Sequence, residues 1–311
     1  SETQIRAVLI MMVRLNSDNA DIRNLLGINP RSSATPMDVD DDDKALTPTD
    51  ELDLLRLKMM SFVSSLLSSG HFTRELAISL STDVENDKMK SEKEEQLMQL
   101  LKCAILNLAT YEKLKDSKIH KHLMAYCEKV LESSLGILPT DVFVTLLCSL
   151  LQDENATVRR KSLEVLNTKL QQPADPLLQD DSLPNLLKPL TTLSTGKTIV
   201  GDEEETSHNQ QMAMLAIRSF SRHLGGKYQK ELKETVCHSI SNKKFLQHLE
   251  NQNVIAATLL CLTEVSLAIG PQAIPTLPTF VTWLLNLMSK EAFIKDNPVV
   301  LNSLILTVQK L

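Results

Sequence analysis

LLCSLLQDENATVRRKSLEVLNTKL, residues 146–170, reads as two amphipathic helices joined by an acidic turn, with a basic triplet opening the second helix. In that second helix Val158, Ser162, Leu166 and Leu170 recur every fourth residue, and Leu163 fills the seam between them. Arg159, Arg160, Lys161, Glu164 and Lys169 point elsewhere, so one stripe is apolar and the rest is charged. A hairpin of this kind cannot bury its apolar face alone. It needs a similar neighbour on each side, which the rest of the chain must supply.

The composition fits that requirement. Of 311 residues 42% are hydrophobic, enough for an extended core, while aromatics are scarce and only eight glycines are available for turns. β-Branched residues are dispersed rather than set in alternating runs, which points to an all-α chain. A net charge of −6 argues against nucleic-acid binding by the whole surface and leaves room only for local basic faces. Cys103, Cys127, Cys148, Cys237 and Cys261 all fall in helical patterns among apolar neighbours, and their number is odd. They read as reduced thiols of an intracellular protein rather than a disulfide framework. No secretory signal is legible in ETQIRAVLIMMVRL, and no apolar run reaches the roughly 18 residues of a membrane span.

Outward from the hairpin, the pattern divides the chain into three parts. Residues 1–15 read as the terminal helix of a preceding repeat, and residues 16–50, with Pro30, Pro36, Pro48 and an aspartate run, as an acidic disordered linker. Residues 51–311 read as a solenoid with an insertion at about 171–206, containing a short helix at 186–193 and then an exposed acidic loop. Gly70 is expected to cap the helix of residues 51–69 in a left-handed conformation. First-helix starts at Glu92, Pro139, His208, Val254 and Pro298 are spaced about 47, 69, 46 and 44 residues apart, the long interval holding the insertion. That matches the roughly 40–47 residue period of HEAT and armadillo arrays. Both ends of the chain fall inside helical patterns, so it reads as a fragment of a longer array.

Catalytic and metal chemistry find little support. STGKT, residues 194–198, has the tail of a phosphate-binding loop, but Thr191 stands where the pattern requires glycine and IVGDEEE follows it with carboxylates. His120 and His122 are two residues apart on a helix and face different directions, and Cys237 and His238 are adjacent, which suits chelation poorly. No catalytic, cofactor-binding or metal residues are assigned, and no cofactor is expected. What remains is Arg159, Arg160 and Lys161. These charges either organise the hairpin turn and its contact with the next repeat or bind RNA phosphate or an acidic partner. Lys243 and Lys244 form a weaker basic turn with the same two readings.

DENATVRRKSLEVLNTKLQQ (153–172) and AIGPQAIPTLPTFVTWLLNLM (268–288) resemble repeats of the very large HEAT protein family associated with the U-three small nucleolar ribonucleoprotein, a component of the small-subunit processome. The resemblance implies a non-enzymatic scaffold of the nucleus and nucleolus that supports processome assembly, pre-ribosomal RNA transcription and early processing of the small-subunit RNA. It also implies its partners: other processome proteins, and pre-ribosomal RNA or the U-three ribonucleoprotein, reached directly or indirectly. No membrane or small-molecule substrate is expected. A HEAT-repeat transport or cargo adaptor, or a generic protein-interaction scaffold, is the alternative.

Overall fold

A computed structural model describes residues 48–81, 87–112, 118–172, 176–196 and 203–310, and these contain helices and turns but no strand. The fold is all-α, a fragment of a solenoid of HEAT-type hairpins. The terminal helix expected at 1–15, the linker up to residue 47, and Lys197 lie outside the described residues. The chain forms two compact units, Ser1–Val142 and Phe143–Leu311.

In the first unit the helices are α1 (Pro48–Leu67), α2 (Gly70–Ser81), α3 (Asp87–Tyr111) and α4 (Lys118–Leu135). The backbone of α4 approaches both α1 and α3 closely. Its buried stripe, Leu123, Cys127, Val130, Leu131 and Ser134, repeats at helical spacing and supplies the shared core. Two boundaries differ from expectation. Pro48 opens α1, where a missing amide hydrogen costs nothing, so the helix begins inside the expected linker. Gly70 does not cap it. It is the first residue of α2 and is absent from the positive-φ glycines, because α1 has already ended at Leu67.

Helix α5 (Thr140–Leu150) contains the boundary between the units, and α6 (Ala156–Leu170) begins the second in earnest. Asn155 caps α6 by accepting from the Thr157 amide at 2.9 Å, and the Asp153 carboxylate accepts from the Asn155 amide at 2.9 Å, so the acidic turn defines the helix start. After it come α7 (Leu187–Ser194) and α8 (Glu203–Leu224). A composite helix α9 follows, in which Gln229–Glu231 and His238–Ile240 flank a π-helical turn, Leu232–Cys237. The chain continues through α10 (Lys243–Gln247), α11 (Gln252–Ile269), α12 (Leu277–Met288), α13 (Glu291–Asp296) and α14 (Pro298–Lys310).

The closest backbone approaches run α6 to α8, α8 to α11 and α11 to α14, so these four helices form one row. Their starts are 47, 49 and 46 residues apart, a steadier spacing than the sequence pattern alone implies. The long interval shortens chiefly because the row begins with α6 at Ala156, the second helix of the opening hairpin, rather than with the helix expected to start at Pro139. Two smaller differences accompany this. α8 begins at Glu203 rather than near His208, so the last glutamates of the expected acidic loop open a helix, where negative charge is favoured by the macrodipole. And the stretch read as an insertion carries α7, whose Leu187, Leu190 and Leu193 are buried and whose backbone packs on α8.

α11 corrects a further expectation. By length and composition it is apolar enough to cross a membrane, yet two thirds of that window is buried, with Val254, Leu259, Leu262 and Val265 in the core. Its all-round apolarity is what a helix covered on both sides by α8 and α14 requires. Asn251 caps its start, accepting from the Asn253 amide at 2.9 Å, and Gly270 ends it at φ 56°, a conformation that disfavours side chains. Gly225, after α8, meets a different demand: a Cβ there would lie 2.3 Å from both the Ala268 Cβ and the Ser221 carbonyl oxygen.

Candidate partner-binding surface

The basic triplet sits at the joint between α6 and α8. Arg159 is only 3% exposed, and its Nη1 donates to the carbonyl oxygens of Asp153 at 2.6 Å and Glu154 at 3.0 Å. Its guanidinium therefore ties α6 back to its own entry turn. Burial pulls its pKa down, opposed by the nearby charges of Asp153 and Glu205. Arg160 donates from Nε to Glu205 at 3.1 Å and from Nη1 to Glu164 at 2.8 Å, while the Lys161 ammonium reaches Glu164 at 2.9 Å. Glu205 also accepts from the Thr157 hydroxyl at 3.4 Å. Two amides complete the joint: Asn209 donates to the Ala156 carbonyl at 3.0 Å, and Asn167 donates to the Met212 carbonyl at 3.1 Å. The geometry thus gives the triplet a structural role: Arg159 and Lys161 bind within α6 and its entry turn, and Arg160 ties α6 to α8.

The next joints are built with different residues on the same plan. Glu264 of α11 pairs with Arg222 of α8 at 2.7 Å and with Lys310 of α14, and it has Arg218 at 3.9 Å. Burial would raise its pKa, but the hydrogen bonds and charges of Lys310 and Arg222 outweigh that and hold the carboxyl below its ordinary value. Thr263 donates to Thr307 at 3.1 Å across the same joint. Each row contact therefore combines an apolar stripe with a specific polar pairing, which fixes register where leucines alone would allow sliding.

The first unit holds a cluster that sequence reasoning missed. Asp53 of α1 accepts from the Tyr111 hydroxyl at the end of α3, meets His120 Nε2 of α4 at 2.8 Å, and pairs with Arg56 at 3.2 Å. Arg56 also donates to the Tyr111 hydroxyl at 2.6 Å. Burial, then the hydrogen bond to Asp53, raises the Tyr111 pKa and keeps the phenol protonated. The Tyr111 and His120 rings stack at 4.9 Å between centroids. All four groups link three helices, so His120 is a packing residue while His122 stands exposed. The one available signal was weak: acidic and aromatic residues near helix ends, 58 and 67 residues apart in sequence.

Of the five thiols, Cys103, Cys127, Cys237 and Cys261 are buried, Cys148 is half-buried, and all are free. Burial pushes the Cys127 thiol up to about 12, far from a reactive thiolate. Lys243 and Lys244 are exposed at the start of α10, where Asn242 caps the helix by accepting from the Lys244 amide at 2.9 Å. Beside them lies a cleft of about 830 Å³ whose lining includes His238, Lys244, Phe245 and Glu250. It carries both a cation and a carboxylate, and so selects neither sign of ligand.

A row of helices joined by specific polar pairs at an even spacing is the arrangement expected of HEAT repeats, and the relatives agree. HEAT repeat-containing protein 1 of Danio rerio is 25% identical over 260 residues, covering 81% of this chain and 12% of that protein. The Homo sapiens protein of the same name is 26% identical over 257 residues, with the same coverage. The chain is homologous to HEAT repeat-containing protein 1. A Dictyostelium discoideum homolog of that protein matches at 23% identity over 172 residues, 55% of this chain. The chain spans about 12% of the length of the first two relatives, and no family model matches it.

Proposed function

We propose that this chain is part of a non-enzymatic HEAT-repeat scaffold in ribosome biogenesis. In this reading it resides in the nucleolus, supports assembly of the small-subunit processome, and promotes transcription of pre-ribosomal RNA and early processing of the small-subunit RNA. Its partners are other processome proteins, with pre-ribosomal RNA or the U-three ribonucleoprotein reached directly or through them. The observation that carries the reading is the similarity to HEAT repeat-containing protein 1 across four fifths of the chain, joined to the resemblance of residues 153–172 and 268–288 to the processome family. The physics of stacked hairpins suits the role, since they present a long surface to several partners at once without any one site dominating.

Depletion of the full-length protein tests it. The precursor of the small-subunit RNA should fall and its early cleavages should be disturbed, with large-subunit maturation affected less directly. Normal precursor levels after efficient depletion would remove the ribosomal reading and leave a transport adaptor or a general scaffold.

A further inference from the structure

The polar joints of the row differ in charge balance. Where α6 meets α8, the cations Arg160 and Lys161 are answered by two carboxylates, Glu164 and Glu205. Where α8, α11 and α14 meet, three cations converge on a single carboxylate oxygen. Glu264 Oε1 takes Arg222 at 2.7 Å and the Lys310 ammonium, and Arg218 Nε stands 3.9 Å away. One carboxylate against three cations leaves a surplus of positive charge, in a chain whose net charge is −6.

Arg218 is the group left over. Its Nε is buried without a hydrogen-bond partner, 3.9 Å being out of reach of Glu264, and its guanidinium makes no hydrogen bond elsewhere among the described residues. Arg222 stands one turn further along the same face of α8, where like charges repel. Burial, then Arg222, lowers the Arg218 pKa against the pull of Glu264. The arrangement costs the fold stability, and an incoming anion removes the cost. Both guanidinium forks can be reached, the Arg222 side chain being 50% exposed and that of Arg218 25%. Nor does this opening depend on where the chain stops, because α8 and α11 each have a row neighbour on both sides.

The surroundings select the anion. A guanidinium fork pairs with carboxylate and phosphate alike. Nucleic acid is held by many cations spread along its phosphates, and a small local surplus on an acidic chain releases too few counterions to hold it. Beside the cations, one turn beyond Glu264 on α11, Leu267 is half exposed and offers an apolar contact that a peptide uses. We propose that Arg218 and Arg222 bind a carboxylate on an acidic segment of a partner protein, with Glu264 holding the Arg222 fork in place and Leu267 receiving an apolar side chain next to that carboxylate. This goes beyond the scaffold reading by naming a point of attachment and its chemistry. It stands on the charge balance of the joint, independently of any role in ribosome assembly.

Photocrosslinking to the full-length protein tests the proposal. The probe is a short benzophenone-bearing peptide of Glu and Leu, used beside the same peptide with Gln in place of Glu, and crosslinks are mapped by mass spectrometry. The Glu peptide should attach saturably to α8 and α11 around Arg218, Arg222 and Leu267, and the Gln peptide should not. Arg218→Gln should weaken that attachment about tenfold while the melting temperature holds or rises, because the fold loses no hydrogen bond. Arg218→Lys should restore only part of it, since an ammonium keeps the charge without the fork. Glu264→Gln should tighten it, since a competing carboxylate is gone. Three results would overturn the proposal: no attachment of the Glu peptide at this joint, equal attachment in folded Arg218→Gln, or a short single-stranded RNA that competes the peptide away and itself depends on Arg218. Normal precursor levels after depletion would leave the crosslinking result as it stands, and the reverse holds as well.

Discussion

The two basic turns of the second unit look alike in sequence and differ in use. At the first, Arg159, Arg160 and Lys161 follow an asparagine cap and are drawn inward, onto two carbonyls, Glu164 and Glu205. At the second, Lys243 and Lys244 also follow an asparagine cap, yet they stand exposed on a helix of five residues. The difference lies in the neighbours rather than in the turns. α6 is a member of the row and has α8 beside it, bringing Glu205 from 45 residues away, whereas α10 is a short connector. A denser basic run is therefore no guide to surface charge when the neighbouring helix brings a carboxylate to it.

Several measurements would break or sharpen this contrast. The largest effect should come from the core under the first turn. Leu166 is fully buried, and Leu166→Ala should lower stability by about 2–5 kcal/mol through lost burial and a cavity, as read in denaturant melts. Arg159→Ala should come next, costing about 1.5–3 kcal/mol because two carbonyls of the entry turn lose a charged donor.

Acid should reveal the joint further along the row. The Glu264 carboxyl is held below its ordinary value of 4.5 in the folded chain, so on acidification the unfolded state takes up the proton first. Its contribution is fully present above pH 4.5 and drains away as the pH falls toward the lower folded value. Melts at descending pH should show that slope in the wild type and less of it in Glu264→Gln. The smallest effect belongs to the second turn: Lys243→Ala with Lys244→Ala should change stability by less than about 0.5 kcal/mol. A loss comparable to that of Arg159→Ala would show that the second turn is as built-in as the first.

Periodicity made the row legible in advance, because a buried stripe repeats locally. The α6 stripe through Leu163, Leu166 and Leu170 lies in the core, and the short helix expected at 186–193 is α7. Chain-distant pairings were not legible. Glu205 was read as part of an acidic loop because nothing in its own neighbourhood announces Arg160, and Asp53 gives no local sign of Tyr111 or His120. Gly70 departs from the expected cap for a related reason: a glycine after a helix signals a left-handed cap only if the helix reaches it, and α1 ends at Leu67. The apolar length of α11 is hidden in the sequence because Glu264 interrupts the run, and its partners, Arg222 and Lys310, lie 42 and 46 residues away.

The claim that the first basic turn is spent inside the row is tested most directly at Arg160 and Glu205, which meet at 3.1 Å with both side chains largely buried. A double-mutant cycle of Arg160→Ala and Glu205→Ala should give a favourable coupling of about 1 kcal/mol in denaturant melts. Ultraviolet crosslinking of the folded Arg160→Ala full-length protein to precursor RNA should match the wild type. Zero coupling together with weakened crosslinking would contradict the account and return the triplet to RNA.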